Sequence, residues 1–214
     1  MEHNAGIVNA EGGKTMLTLF HAPRSRATRV RVLLEEMGVA DVVDLRVVDI
    51  PRQDGSGARD PANPHPEGKV PALADEDGAV VTETGAVMLM LTDMFPEGGM
   101  GPLPGERDRG AYLTWLFWYG SVMEPVMIQK AAGLSHPWLT ATYRGIAEME
   151  ARISAALARG PWLLGERFSA ADILIQSPWH WFRDMEAGDP AIRDWVARGA
   201  ERAAFRKVMG EEGM

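Results

Sequence analysis

The stretch GKVPALADEDGAVVTETGAVMLML, residues 68–91, decides the fold. Period-two alternation in its first half, on either side of Asp77-Gly78, is a hairpin signal. Its second half changes period: after Glu83-Thr84, the apolar residues Val87, Met90, Leu91 and Met94 recur at helical spacing. Two details of the stretch have two readings each. Pro71 is either a trans proline opening a strand, where the missing N–H is tolerated, or a cis proline. An X–Pro bond takes the cis form at a cost of about 0.5–1 kcal/mol, and Val70 would then offer its backbone to an extended peptide ligand. Glu83-Thr84 is either a helix start, with threonine as cap and an acid at the positive end of the dipole, or a clasp. In the clasp, the carboxylate takes an ammonium while the hydroxyl and the helix N-terminus take a carboxylate.

Working outward, residues 17–20 (LTLF) read as a strand. Residues 25–37 read as a helix capped by Ser25, with Val30, Leu33, Leu34 and Met37 on one face and Gly38 as the stop. DLRVVD, residues 44–49, reads as a second strand, and 53–66 as a loop rich in Gly, Asp, Asn and Pro. The order is β-α-β-loop-β-β-α. A Gly/Pro-dense linker follows at 96–105, and everything beyond it reads helical: 106–130, 137–159, 169–186, 190–198 and a short last segment. Pro125 is expected to kink or end the first of these. The expected organisation is a disordered extension at 1–15, an α/β domain at 16–95, the linker, and an all-helical domain at 106–214.

Composition narrows the functional classes. A net charge of -8 argues against nucleic acid and anionic membrane as partners. No apolar run approaches the roughly 20 residues of a membrane span. The first fifteen residues lack the basic start and apolar core of a secretory signal, so a cytoplasmic location is the expectation. The chain has no cysteine, which excludes disulfides, thiolate metal sites and cysteine nucleophiles. His21 and His65 have no spaced partners, and no metal is expected. The arginines at 24, 26, 29 and 31 read as mostly solvent-facing, raising the positive potential around Ser25.

Taken together, PRSRATR, GKVPAL, the Asp-Gly hairpin, ETGAV and the Pro/Gly linker resemble a cytosolic glutathione transferase. GPWLLGERFSAADILI, residues 160–175, resembles that family's buried helix start, with Ser169 and Asp172 as a capping box and Phe168 against Ile173 as a staple. The likeness runs from Leu17 to about Phe205. It implies a thioredoxin-like first domain and a helical bundle, a cis bond at Pro71, glutathione lying along Val70, and γ-glutamyl recognition by Glu83 and Thr84. It also lets Lys69 reach the glycine carboxylate. The activating hydroxyl of serine-type members corresponds to Ser25. In cysteine-type members the active residue falls at Arg26. The tyrosine type is missing too, because the three tyrosines (112, 119 and 143) all lie in the second half.

A serine suffices energetically. Lowering a thiol from pKa 8.5 by about two units takes about 2.7 kcal/mol. A hydrogen bond to a charged group contributes roughly 1.5–3 kcal/mol, and a helix N-terminus roughly 0.3–1 kcal/mol. The function implied is glutathione transfer to a small apolar electrophile, with glutathione as co-substrate and Ser25 as thiolate stabiliser. Tyr112, Trp115 and Tyr119 are the expected electrophile pocket; Trp179, His180 and Trp181 read as either core or pocket. Two alternatives stand: a glutathione-binding carrier or regulator without catalysis, and a glutathione-dependent isomerase. RVRVLL resembles the maleylacetoacetate isomerase branch, but that branch's Ser-Ser-Cys signature is missing. Disulfide reduction through a protein cysteine is excluded. The resemblance also implies a homodimer in which the helix opening at Thr84 meets the partner's helix opening at Glu106.

Overall fold

The computed structural model describes residues 17–182 and 185–213; the expected extension at 1–15 lies outside them. β1 (Leu17–His21) is buried almost throughout, as suits a strand covered on both faces. It lies inside a four-stranded sheet of order β2-β1-β3-β4. β2 (Val43–Val47) runs parallel to β1, and a parallel neighbour requires a crossover, here α1 (Thr28–Met37). β3 (Ala72–Ala74) and β4 (Val80–Val81) are antiparallel additions on the other side. Their turn closes because the Asp75 side chain accepts from the N–H groups of Asp77 and Ala79, and Gly78 takes φ 83°. α2 (Thr84–Met94) completes the expected thioredoxin-like α/β domain.

The helical half is more broken than its hydrophobic period suggests. The helix expected over 106–130 is α3 (Arg109–Trp118), a π-helical turn (Tyr119–Met123) and α4 (Glu124–Ala131). Pro125 stands in the first turn of α4, directly after the π-helical turn at which the expected helix is interrupted. The helix expected over 137–159 divides into α5 (Pro137–Tyr143) and α6 (Ile146–Leu157), because Arg144 adopts φ 66° before Gly145. α7 (Ala170–Trp181) ends before the expected residue 186. α8 (Pro190–Ala200) and α9 (Ala203–Glu211) follow. No described helix is long and apolar enough to cross a membrane.

Two devices join the halves. α2 passes so close to α3 that a Cβ on Gly85 would stand 3.0 Å from the Leu116 carbonyl oxygen. α9 is tied to α1 by charge: Arg202 makes two 2.6 Å bonds to Glu36, Lys207 pairs with Glu35, and Arg31 pairs with Glu211 and Glu212. The expectation that the four arginines face solvent is therefore corrected for two of them. Arg31 is enclosed by the acids of the last helix, and Arg29 is 5% exposed. Only Arg29 and Arg31 lie in α1, and α1 packs against both α7 and α9.

The candidate glutathione cleft and its neighbour

β1 ends at His21, and the next six residues form the turn that carries Ser25. α1 begins only at Thr28, so Ser25 is not its N-cap. The Ser25 hydroxyl instead donates to the Ala22 carbonyl at 2.6 Å and accepts from the Ala27 N–H at 3.1 Å. The Ser25 N–H donates to Thr28 Oγ1 at 3.2 Å. This turn is held from the far end of the chain. One oxygen of Glu212, at the end of α9, accepts from the Arg24 N–H at 2.6 Å and the Thr28 hydroxyl at 2.7 Å. Its other oxygen accepts from Arg31 Nη1 at 3.1 Å and faces His21 Nε2 at 3.4 Å. The Glu212 side chain is 1% exposed. Burial lowers His21 to about pKa 4; the Glu212 charge pulls it up and Arg31 pushes it further down. Nothing in the local sequence pointed to Glu212, because its contacts span more than 180 residues.

Ser25 opens onto a cleft of about 570 Å³ whose other walls are the loop before β3 and the start of α2. Lys69, Val70, Pro71, Glu83 and Thr84 all line it, so the structure brings these expected binding residues together with Ser25. The Val70-Pro71 bond is cis, and Val70 precedes the first ladder pair of β3, Phe20 with Ala72. The loop carrying Val70 is built on Asn63, whose Nδ2 donates to the Lys69 carbonyl at 2.9 Å while its Oδ1 accepts from the His65 N–H at 3.0 Å. His65 Nδ1 accepts from the Glu67 N–H, and burial lowers its pKa. Lys69 pairs with Glu67 and its side chain is otherwise exposed. Glu83 holds φ 69°, ψ 120° immediately before α2. For a non-glycine residue that backbone costs of order 1–3 kcal/mol, and such strain gathers at ligand sites.

The expected electrophile pocket is only partly as read. Tyr112 is fully buried and shares a 2.9 Å hydrogen bond with Thr92 Oγ1; burial pushes its hydroxyl up to about pKa 12. Trp115 is buried edge-on against Trp118, with Arg152 over both rings. A spacing of three residues puts Tyr112 and Trp115 on the core face of α3. Tyr119 lies in the π-helical turn and does reach the cleft region, donating to Glu124 Oε1 at 2.8 Å. The same oxygen accepts from Arg26 Nε at 2.7 Å. Burial works against the charge on Arg26, but Glu124 holds the guanidinium above its usual pKa. Arg29 stacks 4.8 Å from the centroid of the Tyr119 ring.

A second cavity of about 180 Å³ lies on the α7 side of the Ser25 turn. Arg29 and Tyr119 form part of its wall, opposite Pro178, Trp181 and Phe182. Trp181 thus faces a cavity, and Phe182 was not singled out by the sequence. Ser25, Arg24, Arg26 and Glu124 belong to both this cavity and the larger cleft. Among the described residues no cluster of acids and histidines is arranged to hold a metal.

Comparison with known proteins agrees with the geometry. The glutathione S-transferase N-terminal domain model matches residues 24–94 and the C-terminal domain model residues 136–198, together more than half of the chain. The disulfide-bond oxidoreductase YfcG of Escherichia coli (strain K12) is 28% identical over 211 residues, covering 91% of this chain and 94% of that protein. A glutathione transferase from Methylococcus capsulatus superposes with a TM-score of 0.71 at 27% identity, covering 92% of this chain and 98% of its own. A sphingomonad glutathione S-transferase complexed with glutathione gives 0.72 at 26% identity, covering 92% and 99%.

Proposed function

The chain belongs to the glutathione S-transferase family, enzymes that use glutathione as co-substrate, and on that premise we propose that it joins the glutathione sulfur to a small electrophile with an apolar body. The observation carrying this reading is that one cleft is lined at once by Ser25, Val70, Glu83 and Thr84. In the proposed pose, glutathione lies along Val70 beside Pro71, and Glu83 and Thr84 take its γ-glutamyl end. Lys69 reaches toward the glycine carboxylate and the sulfur rests at Ser25. The Ser25 proton, which the hydroxyl donates to the Ala22 carbonyl, swings to the thiolate, because a charged acceptor bonds about twice as strongly as a neutral one. The reacting carbon enters from the α7 side, and its leaving group departs with the bonding pair as the S–C bond forms. The reading keeps the domain division after residue 95, the cytoplasmic location and the homodimer. Phe117, 65% exposed on α3, supports the last.

The relative described as a disulfide-bond oxidoreductase favours a second reading, attack of the same thiolate on a disulfide sulfur. With no cysteine in this chain, glutathione itself supplies every thiol on the enzyme's side. Retention on immobilised glutathione, followed by parallel assays with aryl halides and with hydroxyethyl disulfide, separates the readings. Turnover of the disulfide alone would overturn conjugation, and binding with neither turnover would leave a carrier.

A further inference from the structure

The cavity on the α7 side of Ser25 has a charge pattern that an apolar electrophile does not use. Arg24, Arg26 and Arg29 line it, and Glu124 is the only acid among its described lining residues. Glu124 is already engaged, accepting from Arg26 Nε and the Tyr119 hydroxyl on a single oxygen. Glu36, which lines a neighbouring cavity together with Arg29, is taken by two bonds from Arg202.

Arg29 is the telling residue. Its Nε and Nη1 are buried with no hydrogen-bond partner among the described residues; the guanidinium does bond to the Tyr119 hydroxyl, but two buried donors left without an acceptor are still costly. Arg24 and Arg26 also face the glutathione cleft, so their charge can serve glutathione. Arg29 lines the α7-side cavity and not that cleft. Its charge is offered to whatever occupies the second site. The opposite wall supplies the flat apolar surfaces of Trp181 and Phe182 beside Pro178. A volume near 180 Å³ equals about six water molecules at liquid density, room for one substituted ring.

We propose that the cavity binds the electrophile through a carboxylate, so that the second substrate is a flat, unsaturated or aromatic acid whose body rests on Trp181 and Phe182. Arg29 and Arg24 take the carboxylate, and they also offset the repulsion between that anion and the glutathione thiolate. This inference rests on the transferase reading for the order of events, but the anion site is testable by binding alone.

The test uses the full chain saturated with glutathione and two unreactive probes of matched shape, 3,5-dinitrobenzoate and 3,5-dinitrobenzamide, titrated by calorimetry. The acid is expected to bind about tenfold or more tightly than the amide, equivalent to about 1.4 kcal/mol. The preference should collapse in Arg29→Met. Should Arg29→Met fail to fold, the exposed Arg24→Gln is expected to reduce the preference at least threefold. Equal binding of the two probes, binding of neither, or a preference untouched in the folded variants overturns the proposal. A parallel assay with 4-chloro-3,5-dinitrobenzoate, from which the thiolate displaces chloride, keeps the two readings apart. Selective binding without chloride release would sink conjugation and leave the anion site. Chloride release with no preference over the matching amide would sink the anion site and leave conjugation.

Discussion

Asp172 and Glu212 are both carboxylates withdrawn from water, and they do different work. Asp172, 0% exposed, accepts from the Ser169 N–H and hydroxyl on one oxygen, and from the Leu163 N–H and Trp195 Nε1 on the other. All its partners are neutral and lie within the helical half. Burial pushes its carboxyl up to about pKa 6, against the pull of those four donors. Glu212 also has several donors, but one is the Arg31 guanidinium, and the others belong to the turn that carries Ser25. The first carboxylate closes a core and the second ties the Ser25 turn to the last helix. The same chemistry therefore predicts a purely structural loss at one site and a mixed loss at the other.

The largest effect should come from Asp172→Asn. An amide oxygen can keep two of the four donors, while its NH2 faces the remaining two. Leaving two buried donors unsatisfied costs about 3–4 kcal/mol, read as a lower midpoint in urea denaturation. Glutathione affinity of the folded protein should not move. A loss below about 1 kcal/mol, or weakened glutathione binding, would break the contrast with Glu212.

Glu212→Gln should cost somewhat less, about 2–3 kcal/mol, mainly through the lost charge opposite Arg31. Its signature is different: the pKa of the bound glutathione thiol should shift and kcat should fall, because the Arg24 N–H and Thr28 hydroxyl are no longer held by a full charge. Loss of stability with an unchanged thiol pKa would make Glu212 a second Asp172.

Acid tests the same corner at about 2 kcal/mol. Native His21 stays neutral down to about pH 4, whereas the unfolded imidazole takes a proton near 6.5. The unfolded state then binds more protons between those values, so stability present above pH 6.5 is lost as pH falls toward 4. At pH 5 the loss from this group is roughly 2 kcal/mol. His180, also lowered to about 4 by burial, adds in the same direction. His21→Gln should flatten the slope between pH 7 and 5; an unchanged slope would remove His21 from the account.

The contrast also explains what was legible. Asp172 could be read because Ser-x-x-Asp before an apolar run is a local signal, its two ends only three residues apart. Glu212 could not, because its partners are Arg24, Thr28 and Arg31, and no spacing rule reaches across 180 residues. The hairpin and the helix start at Glu83-Thr84 were legible for the same reason as Asp172: turn chemistry and period changes are written in neighbouring residues. The residues around Pro71 left cis and trans open, and only the family resemblance implied the cis bond. Tyr112 and Trp115 failed as pocket residues because helical spacing identifies a face without saying whether core or cavity covers it. Arg29 failed in the opposite sense. A charged residue among charged residues reads as wet until α7 and α9 are laid over it. The π-helical turn that brings Tyr119 to Glu124 has no sequence signal in the hydrophobic period, which continues through it.

The smallest predicted effect concerns Ser25, which the Glu212 clamp supports. Its hydroxyl already donates to the Ala22 carbonyl and accepts from the Ala27 N–H. Donation to a thiolate contributes roughly 1.5–3 kcal/mol, but the bond to Ala22 that it replaces is worth roughly 0.5–1.5 kcal/mol. The net preference for thiolate is then about 1 kcal/mol, which corresponds to rather less than one pKa unit. Ser25→Ala should therefore raise the bound thiol's pKa by about half to one unit and slow turnover at neutral pH roughly three- to tenfold. Raising the pH should restore most of the rate. Stability should fall by about 1 kcal/mol, because the turn loses both hydroxyl bonds. Ultraviolet titration of the thiolate in the bound complex measures the first effect directly. A midpoint that does not move, with the stability loss still present, would reduce Ser25 to a turn residue. Thiolate stabilisation would then pass to the guanidinium of Arg26, whose Nε is held by Glu124 at the same mouth of the cleft.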